Sequence, residues 1–281
     1  MKDKYTQPDG SWQTEQEQIQ AALEAHFSRK PRLTPPLKRW EEDLPESQKE
    51  QAVPGQLIRV TEINKIWMEI PRYENIMWGG AWVGFISTLI PAFIAFYMSV
   101  NLIFLPGFHY SDIYDLFFLM TLWIGGLLIL SICFFNLKMA LLVPRDQPIR
   151  FNRKRQKVYL FDYQRKWNPW AKWPATVKVF DWADIHGEIS YEVDRYDQGF
   201  RLYCAVCKPG TTEVIERFIL SRALSHPEPQ RRLWSHCCQY MQHKPVVADP
   251  LYPGRPDSWK PRKSMHWPEE IDRESTTAPE A

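Results

Sequence analysis

Charge is absent from a long stretch of this chain. No Asp, Glu, Lys or Arg occurs from Ile76 to Leu105; Asp112 and Asp115 interrupt, and the next charge is Lys138. A helix needs about 20 mostly apolar residues to cross a hydrocarbon layer ~30 Å thick. Buried helices of soluble cores rarely run that long without a charge. The two apolar runs within 76–137 therefore predict two membrane-spanning helices, joined by the short loop Pro106–Asp112 into an antiparallel hairpin. That loop lacks Lys and Arg, whereas Lys138, Arg145, Arg150, Arg153, Lys154, Arg155 and Lys157 follow the second run. The positive-inside rule then places both termini in the cytoplasm.

Other absences bound the chemistry. There is no Gly-x-Ser-x-Gly elbow, no His-Glu-x-x-His and no phosphate loop. No catalytic residue and no cofactor are expected. Asp181, Asp184, His186 and Glu188 lie close in sequence, but polar residues alternating on a strand usually face solvent. No nucleic-acid recognition motif accompanies the basic residues, and no ionisable residue sits at mid-depth of a span to build a transport path. The first residues carry no apolar run, so the first span itself is expected to direct insertion. The last residues carry no lipidation box.

Cysteines are few and odd in number: Cys133 in the second run, then Cys204, Cys207, Cys237 and Cys238. That pattern predicts no disulfide framework. Cys204 and Cys207 have the spacing of half a zinc site, with His236, Cys237 and Cys238 downstream. Residues three apart on a strand point to opposite faces, however, and the second half lacks a spacer. No metal ligand is assigned.

The polar parts divide into segments. Residues 1–55 hold one marginal helical stretch, with Ile19, Ala22, Leu23 and Phe27 on one side. Pro31, Pro35, Pro36, Pro45 and Pro54 follow among charges, which predicts a mobile arm. Residues 56–75 are amphipathic, with Leu57, Ile58, Val60, Ile63, Ile66, Trp67 and Ile70 spaced between charges. They predict a helix or strand lying at a membrane surface or packed on the C-terminal domain. Trp78 and Trp82, four apart, suit the headgroup interface. Gly79, Gly80, Gly84, Gly125 and Gly126 permit close helix approach, and Pro91 should kink the first span.

From Ile149 the apolar period shortens to two. Residues 149–151 and 157–163 read as a hairpin. Strands are predicted over 176–181, 185–193, 199–207 and 213–220, and a helix over 228–243. Strands closed by one C-terminal helix make 145–245 a small α+β domain, in a pattern similar to pleckstrin-homology-like domains. Residues 246–281 are Pro-rich and expected to be a disordered tail.

Two surface features are candidate contacts. Arg145 to Lys172 hold nine basic residues against Asp146 and Asp162; among them Arg153, Lys154, Arg155 and Lys157 suit an anionic leaflet or a protein partner. The loop carrying Trp167, Trp170 and Trp173 beside Arg165 and Lys166 suits a membrane interface or a protein hot spot. The plainer reading folds that loop over its own sheet.

The run Phe151-Asn152-Arg153-Lys154-Arg155-Gln156-Lys157-Val158-Tyr159, with Val179-Phe180-Asp181-Trp182 and Ile185, resembles a family of uncharacterised two-span membrane proteins of Gram-negative bacteria. Its members are often encoded beside type VI secretion effectors or recombination-hotspot toxins. The likeness covers Gln56 to Lys244, and its motifs are structural. It implies a bacterial inner-membrane protein without catalysis. Such a protein would contact the lipid bilayer and a protein partner, form a homo-oligomer in some settings, and act as an accessory or immunity protein of a toxin system. Two rivals are a membrane-permeabilising effector acting through the hairpin and a lipid-headgroup sensor.

Overall fold

The computed structural model describes residues 29–72, 80–104, 113–144, 146–164, 170–193, 198–254 and 266–279, with Gln20, Lys166 and Asn168 besides. Two long helices dominate one end: α1 (Gly80–Ile103) and α2 (Ile113–Leu142). Both are long and apolar enough to cross a membrane. Their serine and threonine hydroxyls bond within each helix. Thr88 Oγ1 donates to Gly84 O at 2.7 Å, Ser99 Oγ to Ala95 O at 2.7 Å, and Thr121 Oγ1 to Phe117 O at 2.8 Å. A hydroxyl that bonds one turn back adds no unmet donor to an apolar face.

The helices pack where side chains are small. A Cβ on Gly84 would stand 3.0 Å from the Asn136 amide, and one on Gly126 would touch the Ala95 methyl at 3.7 Å. Gly125 meets nothing within 4 Å. Phe96 and Trp123 meet edge to face at 6.1 Å. Pro91 lies inside α1. The expected loop Pro106–Asp112 lies outside the described residues, as do Trp78 and Gly79.

The rest is α+β with two antiparallel sheets. The first runs β2 (Glu62–Ile63), β3 (Trp67–Ile70), β4 (Ile149–Asn152), β5 (Lys157–Tyr163), β6 (Ala175–Asp181) in that spatial order. The second runs β1 (Trp40–Asp43), β7 (Ile185–Val193), β8 (Gln198–Cys207), β9 (Val214–Ile219). A short 3-10 turn at Trp182–Asp184 carries the chain from one sheet to the other. Helix α3 (Glu228–Met241) lies against the sheets, and α4 (Glu269–Thr276) follows near the C-terminus. Strands β3 and β4 are neighbours, with Ile70 opposite Ile149. The whole helical hairpin is thus inserted between two adjacent strands of one sheet.

The core is common to both sheets and α3. Met68, Ile149, Phe151, Val158 and Leu160 come from the first sheet. Ile185, Ile189, Leu202, Cys204 and Phe218 come from the second, and Leu233, Trp234, Cys237 and Met241 from α3. Trp234 is fully buried, tilts against Trp182 at 5.4 Å and donates Nε1–H to Pro45 O at 2.8 Å. Gly187 makes room for it, because a Cβ there would fall 2.7 Å from the indole.

Two expectations are corrected here, and an open alternative is resolved. The proline-rich stretch 29–55 is not a mobile arm over its length. β1 pairs with β7, Leu33 and Leu44 are buried, and Ser235 Oγ donates to Val53 O at 2.6 Å. The prolines prevent helix formation, but edge pairing and carbonyl acceptors hold the extended chain. Residues 62–63 and 67–70 of the amphipathic segment are strands of the first sheet, which is the alternative packed on the domain, with Met68 and Ile70 in the core and Trp67 against Arg150. The tail is structured at 251–254, where Leu251 N–H and Tyr252 N–H donate to Leu57 O and Ile58 O, and again in α4. The helical stretch expected near Ile19 lies outside the described residues apart from Gln20, which is helical.

Candidate functional site

Two of the three candidate tryptophans meet the foot of α2. Trp170 stacks on Phe134 with ring centroids at 4.6 Å, and Trp173 meets Phe135 edge to face at 5.4 Å. Lys138 completes the clasp: its Nζ donates to Ala171 O at 2.6 Å and lies 4.6 Å from the Trp173 ring centre. The i, i+4 spacing of Phe134 and Lys138 puts both on one helix face, and the loop meets that face. Trp173 is buried, while Trp170 stays 67% exposed. Trp167 lies outside the described residues. Trp82 sits in the first turn of α1, partly exposed, edge to face with Phe85 at 6.1 Å.

The basic turn between β4 and β5 is held by the C-terminal segment. Asn152 shapes the turn: Oδ1 accepts from Lys154 N–H and Arg155 N–H at 3.0 and 2.9 Å. Its Nδ2 reaches the other way, to Ser275 O at 3.0 Å and Thr277 O at 2.9 Å. Arg155 donates Nε–H to Thr277 O and Nη2–H to Ala278 O, at 3.1 and 3.0 Å. Lys157 pairs with Glu274 at 3.4 Å, and Tyr159 donates its hydroxyl to the same carboxylate at 2.9 Å. That hydroxyl bond holds the Glu274 carboxyl below its usual range. Burial, then the Glu274 charge, pushes the Tyr159 phenol upward.

Arg153 turns to α3 instead. It stacks over Tyr240 at 4.6 Å and approaches Lys244 O at 3.5 Å. Of the four basic candidates, Lys154 has the exposed side chain.

Arg150 organises the contact beneath. It pairs with Glu69 at 2.7 Å and with Asp272, donates to Ser275 Oγ at 2.9 Å, and is sandwiched between Trp67 at 5.0 Å and Trp267 at 4.4 Å. The partners Trp267, just before α4, and Asp272, Glu274 and Ser275 within it escaped the sequence reading. A helix-start signal was present in Pro268 followed by Glu269, Glu270 and Asp272, an acidic first turn.

On the second sheet, the outer face buries charge. His186 and Glu188 project to the same side of β7, toward Arg217 of β9 and Arg32 of the N-terminal segment. Glu188 is fully buried and accepts from Arg217 Nε–H at 2.8 Å. Its other oxygen, Oε1, has no partner among the described residues, nor has His186 Nδ1. Burial raises the Glu188 carboxyl, and Arg217 opposes that rise. Burial likewise lowers His186. These polar residues, expected in solvent, are covered by the segment that carries Arg32 and Leu33.

The cysteines separate as strand geometry requires: Cys204 joins Cys237 and Cys238 in the main core, and Cys207 joins Leu33 and Val214 on the opposite face. Burial raises all four thiols. Among the described residues no group of three His, Cys, Asp or Glu is placed to hold a metal ion.

Residues 126–260 match a family of unknown function, DUF6708. The match begins inside α2 and ends after the strap at 251–254, so it spans the foot of the hairpin and most of both sheets. No curated protein and no solved structure matches the chain.

Proposed function

We propose that this chain is a membrane-anchored interaction protein. The hairpin α1–α2 crosses the bacterial inner membrane with both ends in the cytoplasm and holds a non-catalytic domain of the pleckstrin-homology-like pattern against it. The observation that carries this reading is the outward face of the hairpin. Phe93 is 68% exposed, Phe117 71% and Leu128 62%. Soluble proteins do not leave continuous apolar surfaces of this length in water, and lipid accommodates them at no hydration cost. The Trp170–Trp173 clasp supports the same reading. It sits at the end of α2 beside Lys138, where amphipathic rings and a lysine suit the headgroup layer.

Alkaline carbonate extraction of membranes from expressing cells tests the anchor. The chain is expected in the pellet, and its release into the supernatant would end the reading.

The domain meets a protein partner, and the resemblance to two-span proteins encoded beside toxins makes an accessory or immunity role the most concrete form. Expression of the chain alone is then harmless, and co-expression protects a cell from a cognate toxin. Membrane potential and growth read out both. Depolarisation by the chain alone would replace this role with that of a permeabilising hairpin.

A further inference from the structure

A second feature lies away from the basic turn. Between the two sheets, where β3 ends and the chain leaves β9, is a cavity of about 270 Å³. Its apolar wall is Ile58, Ile70, Leu220, Leu224 and Leu233; its polar part is Arg59, Arg72, Arg222 and Ser221. Among the described residues three arginines and no acidic residue line it. The volume is roughly nine water volumes, enough for a charged head with a short apolar body.

Two of the arginines are fixed by the fold. Arg72 is 5% exposed and donates Nη2–H to Phe161 O at 2.7 Å and Nε–H to Gln147 O at 2.5 Å. Arg59 donates to Pro253 O at 2.8 Å and lies 5.5 Å from the Tyr252 ring centre. The third, Arg222, is exposed at the rim and makes no side-chain hydrogen bond or ion pair among the described residues. Positioned guanidinium groups recognise phosphate and carboxylate because their forked donors match two oxygens at once. The leucine and isoleucine wall would have no use for inorganic phosphate alone.

We propose that this cavity binds an amphiphilic anion: a phosphate or carboxylate joined to an acyl body. The same chemistry is offered by an anionic membrane lipid and by a soluble acyl phosphate or fatty acid. Position favours neither exclusively. Arg72 holds Gln147, which is five residues beyond the end of α2 and so no more than about 18 Å along the chain from it.

The test is calorimetric titration of the purified full chain in neutral detergent, with dihexanoyl phosphatidate as probe. Binding is expected, weakened about tenfold or more by Arg222→Glu, which reverses the rim charge, and by Ala223→Phe, which fills the cavity. Lys208→Glu, on the β8–β9 turn and outside the cavity, is expected to leave affinity unchanged, and inorganic phosphate to bind at least about tenfold more weakly. Thermal melting of each variant without probe confirms that it folds. The inference is overturned if the probe does not bind, if Lys208→Glu weakens it as much as Arg222→Glu, or if inorganic phosphate matches it. Repeating the titration in nanodiscs with and without phosphatidate separates the sources. Competition by the bilayer supports a membrane lipid, and unchanged affinity supports a soluble acyl anion.

Discussion

The hairpin and the domain bury opposite things. In α1 and α2, phenylalanine and leucine face outward, and hydroxyls bond to a carbonyl one turn away. In the domain, Arg150, Asn152 and Glu188 are buried, and each has a partner tens to more than a hundred residues off. The hairpin's serine and threonine hydrogen bonds are local, so its fold depends on its solvent. The domain's are long-range, so its fold depends on the whole chain being in place.

The largest break of this contrast is surgical. Because Ile70 faces Ile149 across paired strands, residues 73–145 can be replaced by a short glycine-rich turn. The product is expected to be soluble and to retain its sheet signal in circular dichroism. Removing residues 34–72 instead should give an insoluble chain without native sheet.

Within the domain, Trp234→Ala should cost about 4 kcal/mol, the usual loss for a fully buried indole, read as a lower urea midpoint of the sheet transition. Phe117→Ala, on the exposed side of α2, should leave that midpoint unchanged.

Acid should act on the domain alone. His236 is fully buried, and neither ring nitrogen has a partner among the described residues. Burial lowers its pKa from 6.5 to about 4. The unfolded chain therefore binds a proton between these values while the folded chain does not. Stability is full above about pH 6.5 and falls with pH, by about 3 kcal/mol at pH 4. Denaturation midpoints at pH 7 and pH 4.5 should show this, and His236→Leu should flatten the dependence.

The smallest effect concerns α4. Asp272 is half exposed in its pair with Arg150, so Asp272→Asn should cost less than about 1 kcal/mol of global stability. Hydrogen exchange of residues 269–277 should nonetheless quicken.

The same contrast governs what was legible in the sequence. Local period located α1, α2, α3 and strands β4 to β9 to within a few residues, because each announces itself by its own side chains. Trp40–Asp43 did not. Its sequence is charged and flanked by prolines, and it is a strand only because Ser190 and Glu188 stand opposite it. Residues 62–70 carried a mixed pattern that pairing with β4 resolves. Of the candidate contacts, the Trp170–Trp173 loop was visible as aromatic density, but its footing on Phe134 and Lys138 was not. The use of Arg155 and Lys157 by the C-terminal segment was equally hidden, since charge composition does not say which carboxylate will arrive.

The insertion of the hairpin between β3 and β4 also sets an order of synthesis. On the ribosome β3 emerges before either span, and its partner β4 emerges only after both. Until then β1 and β3 are exposed edges, the kind that pair with the wrong chain. The domain closes last, and a chain whose translation stops within the second long helix leaves those edges open.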